Sequence, residues 1–405
     1  MTVSKRVLVL GSGFAGLWAA LGAARRLDEL DAADSVDATV ISRQPFHDIR
    51  VRNYEADLSE CRIPLAGLLD PVGVGHIAAD VSAINTAARI VTVSGNGKSE
   101  THGYDRLVVA LGSRVAKPDI PGLREFGFDV DTYDGAVRLQ RHLAALAESP
   151  ADAGAATVVV VGAGLTGIET ASELPGRLTK VFAGTGLAPR VVLIDHNPHV
   201  GSDMGESARP MIEAALAENG VELMTGAGVA AVDAEGVTLS SGEILATDTL
   251  VWCAGMRANP LTDQLGAEHD KLGRLPVDGY LRVIGEPGVF AAGDVAAARM
   301  DEQHLSVMSC QHGRPMGRYA GYNVIGDLLG EPMIPLHIPW YVTVLDLGPA
   351  GAVYTEGWDR QVVSQGASAK ATKVTINTQR IYPPLNRDRD ALLSAAAPAL
   401  QDRPD

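Results

Sequence analysis

Residues 6–16 read RVLVLGSGFAG, and residues 157–167 read TVVVVGAGLTG. Each stretch is a short apolar strand followed by a G-x-G-x-x-G turn and a helix-forming run, the arrangement that opens a dinucleotide-binding fold. The first glycines of the two turns, Gly11 and Gly162, are about one domain length apart. Strands that alternate with helices form parallel sheets. The sequence therefore predicts an α/β protein with two Rossmann-like dinucleotide-binding domains.

The first turn has glycine at each of the three positions that a phosphate-binding loop requires. Gly11 permits the tight turn, Gly13 lets a pyrophosphate approach the backbone, and Gly16 lets the helix pack closely on the strand. The helix that follows offers free amides and a partial positive charge to the phosphates. The next strand, Ala38–Ser42, ends in serine where a ribose-binding carboxylate is usual, so the Ser42 hydroxyl is expected to make that contact.

The second turn, with Gly162, Gly164 and Gly167, keeps the complete pattern. Its second strand ends in Asp195, a carboxylate that can accept hydrogen bonds from both ribose hydroxyls and repel a 2′-phosphate. His196 follows without an arginine beside it, which favours NADH over NADPH. Two dinucleotide sites on one chain are most simply explained by one tightly held flavin and one exchanging nicotinamide, stacked for hydride transfer.

Composition excludes several functional classes. Of the 405 residues, 46% are hydrophobic and 20% charged, as in a soluble globular protein with two or three domains. The formal net charge of −15 argues against nucleic acid as a partner and against binding to anionic lipid by charge alone. We see no signal peptide and no apolar stretch long enough to span a membrane. A cytoplasmic protein with, at most, peripheral membrane contact is expected.

The cysteines and histidines suggest neither a disulfide framework nor a metal site. Cys61, Cys253 and Cys310 form no close pair, so disulfide reductase chemistry is not expected. Cys61 is expected to be a small buried residue, and Cys310, beside Gln311, a packing residue, with a lone redox cysteine as the alternative at either position. His196 and His199 have no third ligand nearby, and no metal is predicted.

Five segments carry a resemblance to a known family: GSGFAG at 11–16, YDRLVVALG at 104–112, GAGLTGIETASEL at 162–174, VWCAGMRANP at 251–260 and VFAAGD at 289–294. Together they resemble the pyridine nucleotide–disulfide oxidoreductase superfamily of flavoproteins over roughly residues 5–330. Within it, the chain is most similar to type II NADH dehydrogenases, which reduce quinones without pumping protons. The resemblance implies FAD and NADH as cofactors.

The resemblance also implies roles for individual residues. Glu169 would lie beside the nicotinamide ring, and Asp294 would bind the ribityl chain of FAD. Gln311 and His312 would border the flavin and the acceptor site, where the imidazole could supply a proton. The catalytic residues expected are thus Glu169, Gln311 and His312. The expected cofactor-binding residues are Gly11, Gly13, Phe14, Ala15, Gly16, Ser42, Arg43, Val81, Ala110, Leu111, Gly112, Gly162, Gly164, Leu165, Thr166, Gly167, Asp195, Ala254, Gly255, Gly293 and Asp294.

The domain organisation follows from the same pattern. We expect an FAD-binding domain at 1–125 and 275–330, an inserted NAD-binding domain at 126–274, and a small α+β C-terminal region at 331–405. In that region, Tyr341–Leu347 and Ala371–Ile376 are expected to be strands, with the lysines of residues 369–373 on a solvated strand face. The acidic, Ala-rich tail after Pro384 is expected to be partly disordered.

The electron acceptor is less well determined than the cofactors. Residues 310–315, CQHGRP, match the AQxAxQ motif of type II NADH dehydrogenases at Gln311, but Pro315 replaces the second glutamine. The expected acceptor is a quinone-like small molecule. Two alternatives remain open: a soluble NADH-dependent reductase of a small electron-transfer protein or dedicated small molecule, and an NADH-sensing flavoprotein with slow turnover. A homodimer is compatible with the sequence.

Overall fold

The computed structural model describes residues 4–95, 97–146, 154–400 and 402–404. The helices of these ranges are α1 (Phe14–Glu29), α2 (Ala66–Leu69), α3 (Leu123–Phe126), α4 (Tyr133–Leu146), α5 (Leu165–Val181), α6 (Arg209–Glu218), α7 (Cys310–Leu329), α8 (Gly366–Thr375) and α9 (Arg389–Ala395). The strands are β1 (Lys5–Leu10), β2 (Val36–Ser42), β3 (Phe46–Asp48), β4 (Arg62–Pro64), β5 (Gly75–Ala78), β6 (Asp80–Asn85), β7 (Ile90–Gly95), β8 (Lys98–Gly103), β9 (Arg106–Val109), β10 (Ser113–Val115), β11 (Gly127–Phe128), β12 (Thr157–Val161), β13 (Arg190–Asp195), β14 (Val221–Thr225), β15 (Val229–Val232), β16 (Gly236–Leu239), β17 (Ile244–Ala246), β18 (Thr249–Trp252), β19 (Met256–Ala258), β20 (Leu275–Pro276), β21 (Val289–Ala291), β22 (Ala296–Ala297), β23 (Val342–Asp346), β24 (Ala352–Glu356) and β25 (Gln361–Gln365).

The first of the two large sheets has the strand order β21-β9-β1-β2-β5, and all its pairs are parallel. Val7 of β1 lies opposite Ala38 of β2 and Arg106 of β9. The four residues from Val7 to Leu10 are buried because the sheet is covered on both faces, which explains their continuous apolar run. Helices α1 and α7 pack closely against each other beside this sheet.

The second large sheet repeats this plan with the order β11-β18-β12-β13-β14, again all parallel. Its central strand, β12, is fully apolar after its first residue, and α5 packs on the sheet directly after it. The strands of the two sheets lie within the residue ranges expected for the FAD and NAD domains, and the α/β fold class is confirmed. The domain boundaries themselves stay a prediction.

The C-terminal region contains the antiparallel sheet β23-β24-β25 and helix α8, and β23 packs on α5. The expected strand Ala371–Ile376 is wrong, because these residues lie in α8 and in the π-helical turn Ile376–Arg380 that continues it. Ala369, Lys373 and Asn377 recur at helical spacing, and all three are buried. The lysines therefore do not share a solvated strand face.

The tail after Pro384 is folded in the described residues, so the expected disorder is wrong there. Helix α9 begins after Asp388, whose carboxylate accepts a hydrogen bond from the Ala391 amide at 2.7 Å. Leu392 and Leu393 are buried in the core that also contains α1 and the first sheet, which holds the helix in place. In the part of the chain that the structure describes, no helix has the length and apolarity needed to cross a membrane.

Candidate functional site

The first glycine turn forms a crowded bend with one open position. Gly11 has φ +102°, and a Cβ there would lie 2.4 Å from the carbonyl oxygen of Ala110. At Gly16 a Cβ would lie 2.0 Å from the oxygen of Gly11, so only glycine allows this helix to approach the strand. At Gly13 a Cβ would meet nothing within 4 Å. The open space therefore lies at the N-terminus of α1, beside Phe14 and Ala15, where amides favour an anion.

The residues expected at the adenosine end of this site lie together at the edge of the first sheet. The Ser42 hydroxyl donates to the carbonyl of Gln44 at 2.8 Å and lies 2.9 Å from His76 Nε2. Arg43 is exposed and forms an ion pair with Asp80 at 2.5 Å, and Val81 follows Asp80 on β6. Ser42 thus already has two partners within the protein, and the ribose contact expected for it stays a prediction.

Asp294 lies at the opposite end of the same site, just after β21. Its carboxylate accepts a hydrogen bond from Ser113 Oγ at 2.5 Å and lies 3.6 Å from Nη1 of Arg50. Burial raises the pKa of Asp294, and the Arg50 charge opposes that rise. Arg50 also donates to the Ser113 carbonyl and pairs with Asp131. These contacts fix the carboxylate next to the segment Ala110–Gly112, which includes Leu111 and ends at a glycine with φ +67°.

The second turn has the same construction around a larger opening. A Cβ on Gly167 would lie 1.7 Å from the oxygen of Gly162, while Gly164 faces open space apart from Asp203 at 3.1 Å. Asp195 accepts hydrogen bonds from the Ala163 amide at 2.5 Å and from the Asn197 amide at 2.7 Å. Its carboxylate therefore shapes the turn.

A cleft of about 1000 Å³ extends from this second turn. Asp195, Gly162, Ala254 and Gly255 line it, as does Lys117 on the opposite wall. The volume is at the upper end of the range for small-molecule sites. Leu165 and Thr166, the first residues of α5, line a different and smaller cavity instead.

The smaller cavity, about 300 Å³, lies between α5, the start of α7, β23, α8 and the C-terminal tail. Gln311 lines it with its carboxamide facing the backbone of Val342, in the orientation that lets the nitrogen donate to the carbonyl at 2.6 Å and the oxygen accept from the amide at 3.2 Å. Pro315, which replaces the second motif glutamine, also lines it. The side chains of Trp340 and Leu400 contribute apolar surface to its wall. The cavity is thus largely apolar, with Gln311 held at one side.

A buried ion pair lies on the wall of this smaller cavity. Glu169 Oε1 accepts hydrogen bonds from Lys373 Nζ at 2.7 Å and from the Asp346 amide at 3.1 Å. Burial raises the pKa of Glu169, against the effect of the lysine charge. Burial alone would lower the pKa of Lys373, but the Glu169 carboxylate raises it overall. Lys373 therefore stays protonated, and the Glu169 carboxylate accepts a proton more readily than the carboxylate of an exposed glutamate does.

His312 does not line either of the two cavities described above. Its side chain is 1% exposed, and Nδ1 accepts a hydrogen bond from the Val307 amide at 2.9 Å. Burial lowers the pKa of His312 to about 4, so the ring is neutral at physiological pH. The geometry therefore does not favour the proton-donor role expected for His312, and Glu169 with Lys373 is better placed for it.

The residues present fit the two dinucleotides that the sequence implies. Both turns have one open glycine at a helix N-terminus. It lies between two glycines at which a Cβ atom would clash with nearby backbone atoms. Such a cradle admits the pyrophosphate backbone contacts of a dinucleotide. Among the described residues, no group of three or more His, Cys, Asp or Glu side chains could hold a metal ion.

Comparison with known proteins identifies the family. The model of the pyridine nucleotide-disulphide oxidoreductase family matches residues 5–317. The chain belongs to this family. The resemblance stated from the sequence motifs is thus confirmed, and so are the expected oxidoreductase activity and the cofactors FAD and NADH.

Similar proteins within the family extend over the whole chain. An NADH dehydrogenase-like protein of Mycobacterium tuberculosis is 70% identical over 401 residues, which cover 98% of this chain and 100% of the relative. The demethylphylloquinone reductase of Synechocystis is 29% identical, with 86% of each chain covered. The structure of NDH2 from Plasmodium falciparum in complex with NADH has a TM-score of 0.77 at 13% identity, covers 97% of each chain, and supports the fold. The NADH dehydrogenase-like relative supports NADH oxidoreductase activity.

Several residues of the smaller cavity were not expected from the sequence. The cavity is also lined by four basic residues, Arg50, Arg314, Arg318 and Lys373. Lys373 had a local signal, since Ala369, Lys373 and Asn377 repeat at the spacing of one helix face, but its partner Glu169 is 204 positions away. The arginines of α7 follow the Gln311 motif directly, yet nothing in their spacing shows that they face a cavity.

Proposed function

We propose that this protein oxidises NADH and passes the electrons to a quinone-like small molecule that binds in the 300 Å³ cavity. The observation that carries the proposal is the Glu169–Lys373 pair, which places a protonated group on the wall of a mostly apolar cavity beside Gln311. A demethylphylloquinone reductase and type II NADH:quinone oxidoreductases are among the similar proteins, which supports a quinone as acceptor.

The residues of the chain would bind and orient the reactants. The amides at Gly13 and Gly164 would hold the two pyrophosphates, Asp294 would accept a hydrogen bond from the ribityl chain, and Asp195 would face the ribose of NADH. When bound, FAD supplies the capacity to take a hydride and to release its electrons to an acceptor. Asp195 supports NADH rather than NADPH because a carboxylate repels a 2′-phosphate.

Reduction of a quinone also consumes protons, and the ion pair would deliver them. The overall reaction, NADH + H⁺ + quinone → NAD⁺ + quinol, adds two electrons and two protons to the quinone. Lys373 holds a proton through its contact with Glu169, and the raised pKa of Glu169 lets this carboxylate take up protons from solvent and pass them on. We therefore assign proton transfer to Glu169 and Lys373. A glutamine at 169 would keep a hydrogen-bonding group for the nicotinamide-positioning role expected there but could not transfer a proton.

Two acceptors that differ in their need for protons test this function. Ferricyanide takes electrons without protons, whereas a soluble naphthoquinone needs both. Glu169→Gln should lower kcat with the quinone by about a hundredfold, the usual scale of general acid–base catalysis, and leave ferricyanide turnover within about twofold. Glu173→Gln, one turn further along α5, is the matched control and should retain both activities. Equal losses with both acceptors would instead assign Glu169 to NADH binding, and absence of quinone turnover in the wild type would contradict the proposal.

A cytoplasmic location, peripheral membrane contact and a homodimer stay predictions. Gradient fractionation of cells and light scattering of the purified holoenzyme test them directly.

A further inference from the structure

Two arginines of α7 line the smaller cavity one helical turn apart. The side chains of Arg314 and Arg318 belong to residues that are 8% and 4% exposed, so both are more than nine-tenths buried. Both guanidinium groups lie over the indole ring of Trp18 in α1, at 5.4 and 4.2 Å from the ring centroid. The shared indole brings the two cations to the same wall of the cavity.

These cations lack counter-ions among the residues that the structure describes. Nε and Nη2 of Arg314 have no hydrogen-bond partner, and neither has Nε of Arg318. Nη1 of Arg318 donates to the Ala399 carbonyl at 3.3 Å, a neutral acceptor. A buried charge without a partner is costly, and burial accordingly lowers the pKa of Arg314 to about 10 and that of Arg318 to about 9. At neutral pH both remain cationic.

The surroundings add positive rather than negative charge. Arg380 also lines the cavity, and its charge acts on Arg314. The carboxylate of Glu169, on the same cavity, is already engaged by Lys373 at 2.7 Å. The wall therefore carries two guanidinium groups without a carboxylate partner among the described residues, beside a partly open and mostly apolar volume to which an oxyanion would be attracted.

The pyrophosphate of the flavin does not account for these donors. The open position for phosphate is at Gly13, and neither Gly13 nor the rest of the first glycine turn lines this cavity. A volume of about 300 Å³ with aromatic and aliphatic walls matches a one- or two-ring molecule.

We propose that the electron acceptor is a small aromatic quinone that carries a carboxylate, and that Arg314 and Arg318 bind this carboxylate. The planar guanidinium groups match the two oxygens of a carboxylate, and the apolar wall accepts the ring. This inference rests on the proposed function, because it specifies the substrate class of the same cavity.

Binding of redox-inert analogues tests the inference without turnover. Naphthalene-2-carboxylate and naphthalene-2-carboxamide have nearly the same shape and differ in charge, and isothermal titration calorimetry on the oxidised holoenzyme measures both. We expect the carboxylate to bind about ten- to hundredfold more tightly, as for a charge-assisted hydrogen bond. Arg314→Gln and Arg318→Gln should each remove most of this preference, while Arg314→Lys should retain part of it. Arg282→Gln, at an exposed site, should change nothing.

A second measurement keeps the inference testable if a variant binds neither analogue. Removing an unneutralised buried cation should raise the midpoint of thermal unfolding, so Arg314→Met is expected to be more stable than the wild type with an unchanged flavin absorbance. A lower midpoint would show that Arg314 is already neutralised within the protein and would overturn the inference. Equal binding of the two analogues, or a preference that survives both glutamine variants, would overturn it as well.

Two further experiments distinguish a carboxylate subsite for the acceptor from a site for a free anion and from a site for neutral quinones. If inorganic phosphate alone binds with the same arginine dependence and the naphthoate does not compete with it, the subsite serves a free anion, and the acceptor assignment is wrong. In turnover, naphthoquinone-2-carboxylate should exceed its methyl ester in kcat/KM in the wild type, and Arg314→Gln should remove the difference. Good turnover of neutral quinones without any charge preference would leave the proposed function intact and refute the carboxylate subsite.

Discussion

Replacement of Lys373 by methionine should destabilise the protein in a manner that depends on pH. In the wild type, Lys373 Nζ is 2.7 Å from Glu169 Oε1 and 3.1 Å from the Val344 carbonyl, and both side chains of the ion pair are about nine-tenths buried. Methionine fills a similar volume without charge, so the Glu169 carboxylate stays buried and loses its cation. Removing one partner of a buried ion pair costs about 3–5 kcal/mol. We expect this loss in the free energy of unfolding at about pH 8.

The pH dependence follows from the pKa of Glu169. Burial already raises this pKa, and without Lys373 the opposing effect of its charge and hydrogen bond is lost, while the Asp346 amide still donates to the carboxylate. A carboxyl group whose folded-state pKa lies above its unfolded value contributes stability at pH values below the unfolded pKa, and this contribution is lost as the pH rises through the folded pKa. The deficit of Lys373→Met relative to the wild type should therefore be small near pH 5 and widen towards pH 8.

Urea denaturation of the flavin-saturated proteins, followed by tryptophan fluorescence, measures the effect at both pH values. Lys370→Met, one turn earlier on α8, removes the partly exposed ion pair with Asp346 and should cost about 1 kcal/mol or less. The double variant Glu169→Gln/Lys373→Met should recover much of the loss, because it leaves no buried charge unpaired. A deficit independent of pH, or a double variant no more stable than Lys373→Met, would refute this reasoning.

Three further predictions concern single residues. Gly13→Ala should fold normally, because a Cβ there meets no protein atom within 4 Å, but it should bind flavin about tenfold more weakly if phosphate fills that space. Dialysis followed by flavin absorbance measures the loss, and Gly67→Ala, at another open position, is the control. Asp195→Asn should lower kcat/KM for NADH by about tenfold with a smaller effect for NADPH, and an unchanged preference in steady-state assays would contradict its role. Cys61→Ala should keep full turnover. The folded wild type should also resist alkylation at Cys61, because burial raises the pKa of this thiol to about 11. A large loss of turnover in the variant would instead support a redox role for Cys61.

Much of the fold could be predicted because its signals are local. The strand, the glycine turn and the helix of each dinucleotide-binding unit occupy about 30 consecutive residues, and Gly11 and Gly162 both adopt the positive φ that the turn requires. The helices begin at Phe14 and Leu165, within the glycine turns, as the G-x-G-x-x-G pattern predicts. Asp195 could be predicted for the same reason, since it ends the strand that follows the second glycine turn and its helix.

The parts that could not be predicted depend on contacts between distant segments. The five residues 369–373 are too short a run to distinguish a strand from a helix by themselves, and tertiary packing selects a helix that buries Lys373 against Glu169. The tail contained a signal that was missed, since Asp388 precedes a run with Leu392 and Leu393 at the start of α9. At Ser42 the local sequence showed the departure from an acidic residue but not the neighbours that occupy its hydroxyl.

Anaerobic stopped-flow spectroscopy tests the central claim most directly. The purified yellow holoenzyme is mixed first with NADH or NADPH and then with a soluble quinone, ferricyanide or oxygen. We predict rapid bleaching of the flavin by NADH, slower bleaching by NADPH, and fast reoxidation by the quinone. Fast reduction followed by slow reoxidation with every acceptor would favour an NADH sensor or a missing protein partner, and a protein that binds no flavin would contradict the account altogether.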